Sequence, residues 1–180
     1  GDLDDVFELQ DRITEEIVVA LQVNLAEGET AKIWRQRSGS PQIYAAFQKA
    51  MERYWNFSRE THRQALKMVE DILATNPDYT AALYLYGLTL VDHARFGWTD
   101  DSEAAYRSAL EAAERALSVD PYYADAYSVI SYAQSFQGQH DEAVAAAEQA
   151  VALERNNSAV FHMSAMTHIY AGNFETGRDY

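Results

Sequence analysis

The chain of 180 residues has no cysteine. That absence excludes a disulfide framework, a thiolate nucleophile and any cysteine-built metal site. Prolines are three and glycines eight, few enough to punctuate regular elements without forming low-complexity linkers. Positive charge is also scarce: 14 Lys and Arg stand against 28 Asp and Glu, for a net charge of −14. Such a chain lacks the cationic surface that nucleic-acid phosphates require, so no nucleic-acid partner is expected. Long hydrophobic runs are missing too. The longest aliphatic stretch, Ile17 to Leu21, is far short of the roughly 20 residues that span a bilayer, and no signal-peptide pattern opens the chain. The expected location is cytoplasmic, or periplasmic if a transmembrane helix lies upstream in a longer parent.

Catalytic signatures are equally sparse. The five histidines, His62, His93, His140, His162 and His168, include no i, i+4 pair and no HExxH zinc motif. His140 falls where a packing residue is expected and reads as a partly buried, satisfied side chain. No GxSxG elbow is present. The acidic pairs Asp4-Asp5, Glu15-Glu16 and Asp100-Asp101 fall on helix ends or loops, and acid–base chemistry needs carboxylates that converge in a cleft. No active site, metal or cofactor is expected.

What the chain does have is a period. Gly138 and Gly172 stand 34 residues apart, and at the same offset Tyr127 meets Phe161, Ala133 meets Thr167 and Gln139 meets Asn173. A 34-residue period is the length of a tetratricopeptide repeat, a helix–turn–helix unit that stacks into a solenoid. The glycines end the first helix of each unit, since glycine enters the left-handed region without steric cost. Tyr127 and Phe161 read as large anchors of the first helix. Ala143 and Ala150 read as the close-approach face of the second.

The fold expected is all-α: a tetratricopeptide-repeat superhelix preceded by a long N-terminal helix. Residues 1–28 form that helix, with Val6, Leu9, Ile13, Ile17, Leu21 and Leu25 as one apolar stripe. Residues 29–40 are a connector, and residues 41–180 hold about four helix pairs, the last truncated. Ser40 reads as an N-cap with Pro41 at the first helical position. Asn76-Pro77 and Asp120-Pro121 close units, because the residue before proline is pushed out of helix. Pro77 and Pro121 are 44 residues apart, ten more than the period, which predicts an insertion around Val91 to Glu103. Thr99 or Asp100 is the expected cap of the helix that follows. Phe96 and Trp98 within it are expected to fold back onto their own unit, since two exposed large aromatics invite aggregation. The turn near Ser58 is expected to be extended.

Three stretches carry a more specific resemblance. Asp5-Val6-Phe7-Glu8-Leu9-Gln10-Asp11 resembles the segment that joins a TolB-like domain to repeats in bacterial class III adenylate/guanylate cyclase-like proteins. Tyr44 to Ala50, with Ala65 and Asn76-Pro77, resembles their first repeat, and Ala94 to Asp101 resembles an insertion in their second. The resemblance implies a non-catalytic regulatory module of a larger signalling protein, with any cyclase domain upstream. Similar repeats also follow the DNA-binding domains of some membrane-bound transcriptional regulators, where the module would be a sensor or scaffold.

In a repeat solenoid the first helices line the concave face. Register assigns Tyr44, Phe47, Met51, Tyr54 and Trp55 to that face in the first unit, and Tyr84 and Leu88 in the second. Tyr132 and Phe136 follow in the third, and His162, Met166 and Tyr170 in the fourth. Aromatics and methionine suit peptide recognition, since they give large contact area for little lost entropy. The expected partner is a protein or peptide, or another segment of the parent. The stripe Val6, Leu9, Ile13, Ile17 and Leu21 is an expected homodimer helix.

Overall fold

A computed structural model describes residues 38–180. The expected N-terminal helix, its dimer stripe and most of the connector lie outside the described residues. Eight helices and no strand are found among the described residues: α1 (Pro41–Trp55), α2 (Arg59–Thr75), α3 (Thr80–Arg95), α4 (Ser102–Val119), α5 (Ala124–Phe136), α6 (His140–Leu153), α7 (Ser158–Tyr170) and α8 (Phe174–Asp179). Each odd helix packs on the even helix that follows it, and on the first helix of the next pair; among the described residues no even helix touches the next even helix. The odd helices are therefore the inner layer of an all-helical solenoid, and the even helices the outer layer.

Local chemistry starts these helices. Ser40 caps α1 by accepting from the Ile43 amide at 3.2 Å, with Pro41 at the first helical position as its fixed φ suits. A reciprocal Ser58–Thr61 capping box opens α2. Asp101, rather than Thr99 or Asp100, caps α4 through the Ala104 amide at 2.9 Å. Asn157 caps α7 by accepting from the Ala159 amide at 3.0 Å.

The turn after each inner helix repeats one geometry. Gly97, Gly138 and Gly172 have φ of 66°, 75° and 83°. The amide just beyond each reaches back five residues to close the helix: Trp98 to the His93 carbonyl at 2.8 Å, Gln139 to Gln134 at 3.0 Å, Asn173 to His168 at 2.8 Å. In the first pair Phe57 holds this place at φ 42°, a left-handed backbone that disfavours any residue with a Cβ.

The ten additional residues of the second pair are not a separate inserted loop. α3 is longer than α5 (16 against 13 residues), α4 is longer than α6 (18 against 14), and the turn 96–101 replaces the turn 137–139. Proline spacing counts residues without saying where they go, so lengthened helices and a longer loop look alike in sequence. The turn near Ser58 is likewise not extended: it spans only residues 56–58.

Packing follows a large-on-small rule. Ala105, Ala109, Ala113 and Ala116 of α4, and Ala143, Ala147 and Ala150 of α6, are buried, so the inner helices approach closely. Tyr127 and Phe161 are only partly buried, and Val129 and Val160 are the buried anchors of α5 and α7. His140 is exposed at the start of α6, not packed. Gly87 marks a close contact between the second and third pairs. A Cβ there would lie 2.7 Å from Val129 Cγ1 and 3.4 Å from the Ala109 carbonyl oxygen. Gly87→Ala is expected to lower stability by about 1–3 kcal/mol through overpacking. Adding Val129→Ala should recover part of that loss in urea denaturation, a sign that the clash is the cause.

Candidate functional site: an aromatic ladder on the inner face

The residue two before each left-handed turn position is Trp55, Arg95, Phe136 and Tyr170. Contacts join three of them along one edge of the inner layer, Arg95 to Phe136 and Phe136 to Tyr170, while Trp55 packs on Tyr54 at 5.3 Å. The Arg95 guanidinium lies over the Phe96 ring at 4.2 Å and the Phe136 ring at 5.0 Å. Phe136 then packs on Tyr170 at 5.0 Å and on Tyr132 at 5.1 Å. The result is one stack, Phe96–Arg95–Phe136–Tyr170, that crosses three helix pairs. Offset aromatic contacts and cation–π contacts each stabilise such a stack by about 1 kcal/mol while leaving ring faces for a ligand.

Behind the ladder lies a buried carboxylate. Asp92 is 1% exposed. Tyr54 of α1 donates to its Oδ2 at 2.9 Å and Tyr132 of α5 donates to its Oδ1 at 3.0 Å. Arg95 lies 3.9 Å from the same carboxylate and also donates to the Tyr132 hydroxyl. One acid thus ties the first, second and third pairs together. Burial pushes the Asp92 carboxyl above the usual carboxylate range, against the Tyr54 hydrogen bond and the charges of Arg95 and His62. Burial, and then the Asp92 charge, push the Tyr54 phenol far up, so it stays a donor.

The twelve residues that register assigned to a binding face divide into three groups. Tyr44, Phe47, Tyr84 and Leu88 are core residues, buried between helices, and offer no surface to a ligand. Tyr54 and Tyr132 are nearly buried, with their hydroxyls on Asp92. Trp55 is 67% exposed, Phe136, Met51, Met166 and Tyr170 are partly exposed, and His162 is exposed. His162 lines a separate shallow groove with Phe161, Arg155 and Tyr180. Sequence reasoning missed Asp92 and Arg95. A signal existed: Asp92 precedes Phe136 by the same 44 residues that separate Pro77 from Pro121, so it stands in register with the aromatic ladder.

The turn after α3 folds back onto its own pair as expected, with Trp98 against His93 at 6.0 Å and Arg95 over Phe96 at 4.2 Å, and it also reaches the preceding pair. Phe96 and Trp98 stack on each other at 5.0 Å. Phe57 meets Phe96 at 5.3 Å, and Trp98 meets His62 of α2 at 5.1 Å. The three added residues of α3 amount to almost one helical turn. They lengthen α3 relative to α5, and the turn that follows packs at the corner between α1 and α2.

Comparison with known proteins supports the fold. The solved structure of MamA residues 41 to the end from Desulfovibrio magneticus RS-1 matches with a TM-score of 0.52 at 18% identity, covering 86% of this chain and 92% of that one. A double mutant of the RS-1 protein matches with a TM-score of 0.51 at 19% identity, over the same shares of both chains. These likenesses, with the helix order and the 34-residue period, define the class: an all-helical solenoid of the tetratricopeptide type. Among curated proteins, one from Rhizobium meliloti (strain 1021), named "Putative adenylate cyclase 3", is 26% identical over 141 residues. That match covers 78% of this chain, and the chain spans about a quarter of that relative's length (24%). No family model matches the chain. Among the described residues no helix is long and apolar enough to cross a membrane.

Proposed function

We propose that this chain is a protein-interaction module that holds an extended peptide along the inner ladder. The observation that carries this reading is the stack Phe96–Arg95–Phe136–Tyr170 across three helix pairs. Large, rigid aromatic faces at a shared spacing offer anchors for alternate side chains of one extended segment. The buried Asp92 network fixes the spacing, so the surface is preorganised and loses little entropy on binding. The match to the Rhizobium meliloti protein supports a setting in an adenylate/guanylate cyclase-like signalling protein, with this module regulating and not catalysing.

A display library of random peptides of about twelve residues, selected on the folded chain, tests the reading. Selected peptides are expected to lose at least tenfold in affinity, about 1.4 kcal/mol, when Phe136 and Tyr170 are both changed to Ala. Selected peptides that bind this double variant as tightly as the parent would reject the inner ladder as the binding surface.

A further inference from the structure

Two imidazoles lie under the Phe96–Trp98 turn. His62 of α2 is 0% exposed and His93 of α3 is 8% exposed. Their rings are stacked 6.2 Å apart, and Trp98 meets both edge-on, at 5.1 Å and 6.0 Å. Phe57 closes the side at 5.2 Å from His62, and Tyr54 of α1 closes the base at 4.7 Å. No hydrogen bond of good geometry reaches either nitrogen of His62 or Nε2 of His93, although the Tyr54 backbone lies near enough to His62 to favour its charged form. The two rings are therefore packed among aromatic faces, and their burial there favours the neutral imidazole.

We infer that the His62–His93 pair is an acid-sensitive latch that holds the Phe96–Trp98 turn of the second helix pair against the first. A proton on either ring creates a cation with two N–H donors inside an aromatic box. The charged groups that face the pair are few. Asp92 on α3 attracts a charged His62, but both its oxygens already accept from Tyr54 and Tyr132. A charged His62, and Arg59 at the start of α2, repel a charge on His93. Arg95 is engaged by Asp92 and Tyr132. From the turn itself Phe57, Phe96 and Trp98 offer no countercharge. Aromatic faces attract a cation modestly but do not replace its hydrogen bonds to water, so full solvation of the new charge requires the turn to lift. Lifting it exposes Phe57, Phe96 and Trp98 and disturbs the end of the ladder at Arg95.

The direction agrees with the titration. Burial pushes both imidazoles below the usual histidine range; Asp92 and the Tyr54 backbone oppose it weakly at His62, and the charges of His62 and Arg59 add to it at His93. The latched state therefore binds fewer protons than the lifted state. By linkage its stability is complete above the ordinary imidazole pKa of about 6.5 and is lost as pH falls below it.

The test uses the full chain with Trp34→Phe and Trp55→Phe, so that Trp98 is the sole tryptophan reporter. Acrylamide quenching of Trp98 is followed from about pH 7.5 to about pH 5, across the histidine range. The expected result is a reversible rise of at least about twofold in quenching as pH falls, with helical circular dichroism unchanged. In the same background His62→Phe/His93→Phe is expected to stay flat. If that variant fails to fold, proton NMR of the two imidazoles in the parent replaces it, and their titration should track the Trp98 signal. A flat Trp98 response, a double variant that keeps the response, or imidazoles that titrate with no change at Trp98 would each overturn the latch.

Discussion

Asp92→Ala is expected to lower the stability of the chain by about 3 kcal/mol or more, the largest effect of any single polar substitution here. The change leaves two buried phenol hydroxyls, those of Tyr54 and Tyr132, without their acceptor, and it frees Arg95 from its carboxylate. Arg95 can turn toward solvent, because 23% of its side chain is already exposed. The buried hydroxyls have no such exit. A double-mutant cycle separates the parts. Tyr54→Phe alone should cost about 1–2 kcal/mol, while in the Asp92→Ala background it should cost nothing or stabilise, since it removes an orphaned hydroxyl. In a solenoid each interface between neighbours contributes separately to cooperativity. Asp92 serves two interfaces at once, so Asp92→Ala should also broaden the urea transition. An unchanged midpoint would mean that the network contributes no net stability.

Phe47→Ala is expected to cost about 3–5 kcal/mol and to leave peptide affinity of the folded chain unchanged. Phe47 is 0% exposed and packs edge-on against Tyr79 at 5.5 Å and beside Tyr44 at 6.4 Å. Truncation opens a cavity between α1, α2 and the start of α3, where the backbone of the pair cannot collapse to fill it. Urea denaturation gives the stability, and titration with a selected peptide under native conditions gives the affinity. Loss of affinity without loss of stability would show instead that Phe47 reaches a ligand.

These two residues mark what the sequence made legible. The period was readable because Gly138, Gly172, Ala143 and Ala150 each do a local job at a fixed place, and local jobs repeat when units repeat. Ser40-Pro41 was readable as a helix start for the same reason. The inner surface was readable only in part. Helical periodicity shows which residues face inward, but not which of these the next pair covers, so Phe47 and Tyr84 looked like surface although neighbours bury them. The register of Asp92 with Phe136 was readable, but its role was not, because its partners stand 38 and 40 residues away in sequence. A lone carboxylate on an apolar helix carries no local signal of two tyrosines on adjacent helices. The His62–His93 pair escaped for a related cause. Contact with Trp98 depends on how far α3 runs past its neighbours, and spacing between prolines does not reveal that length.

The central claim is that the inner ladder, and not the outer helices, receives the ligand. Site-specific photocrosslinking tests it most directly. Benzoylphenylalanine is placed at Phe136 on the ladder or at Glu148, which is exposed on α6 of the outer layer, and each chain is irradiated with a labelled, display-selected peptide. The account predicts a saturable adduct from position 136, competed away by unlabelled peptide, and none above background from position 148. Equal labelling at both positions, or labelling at 148 alone, would contradict it.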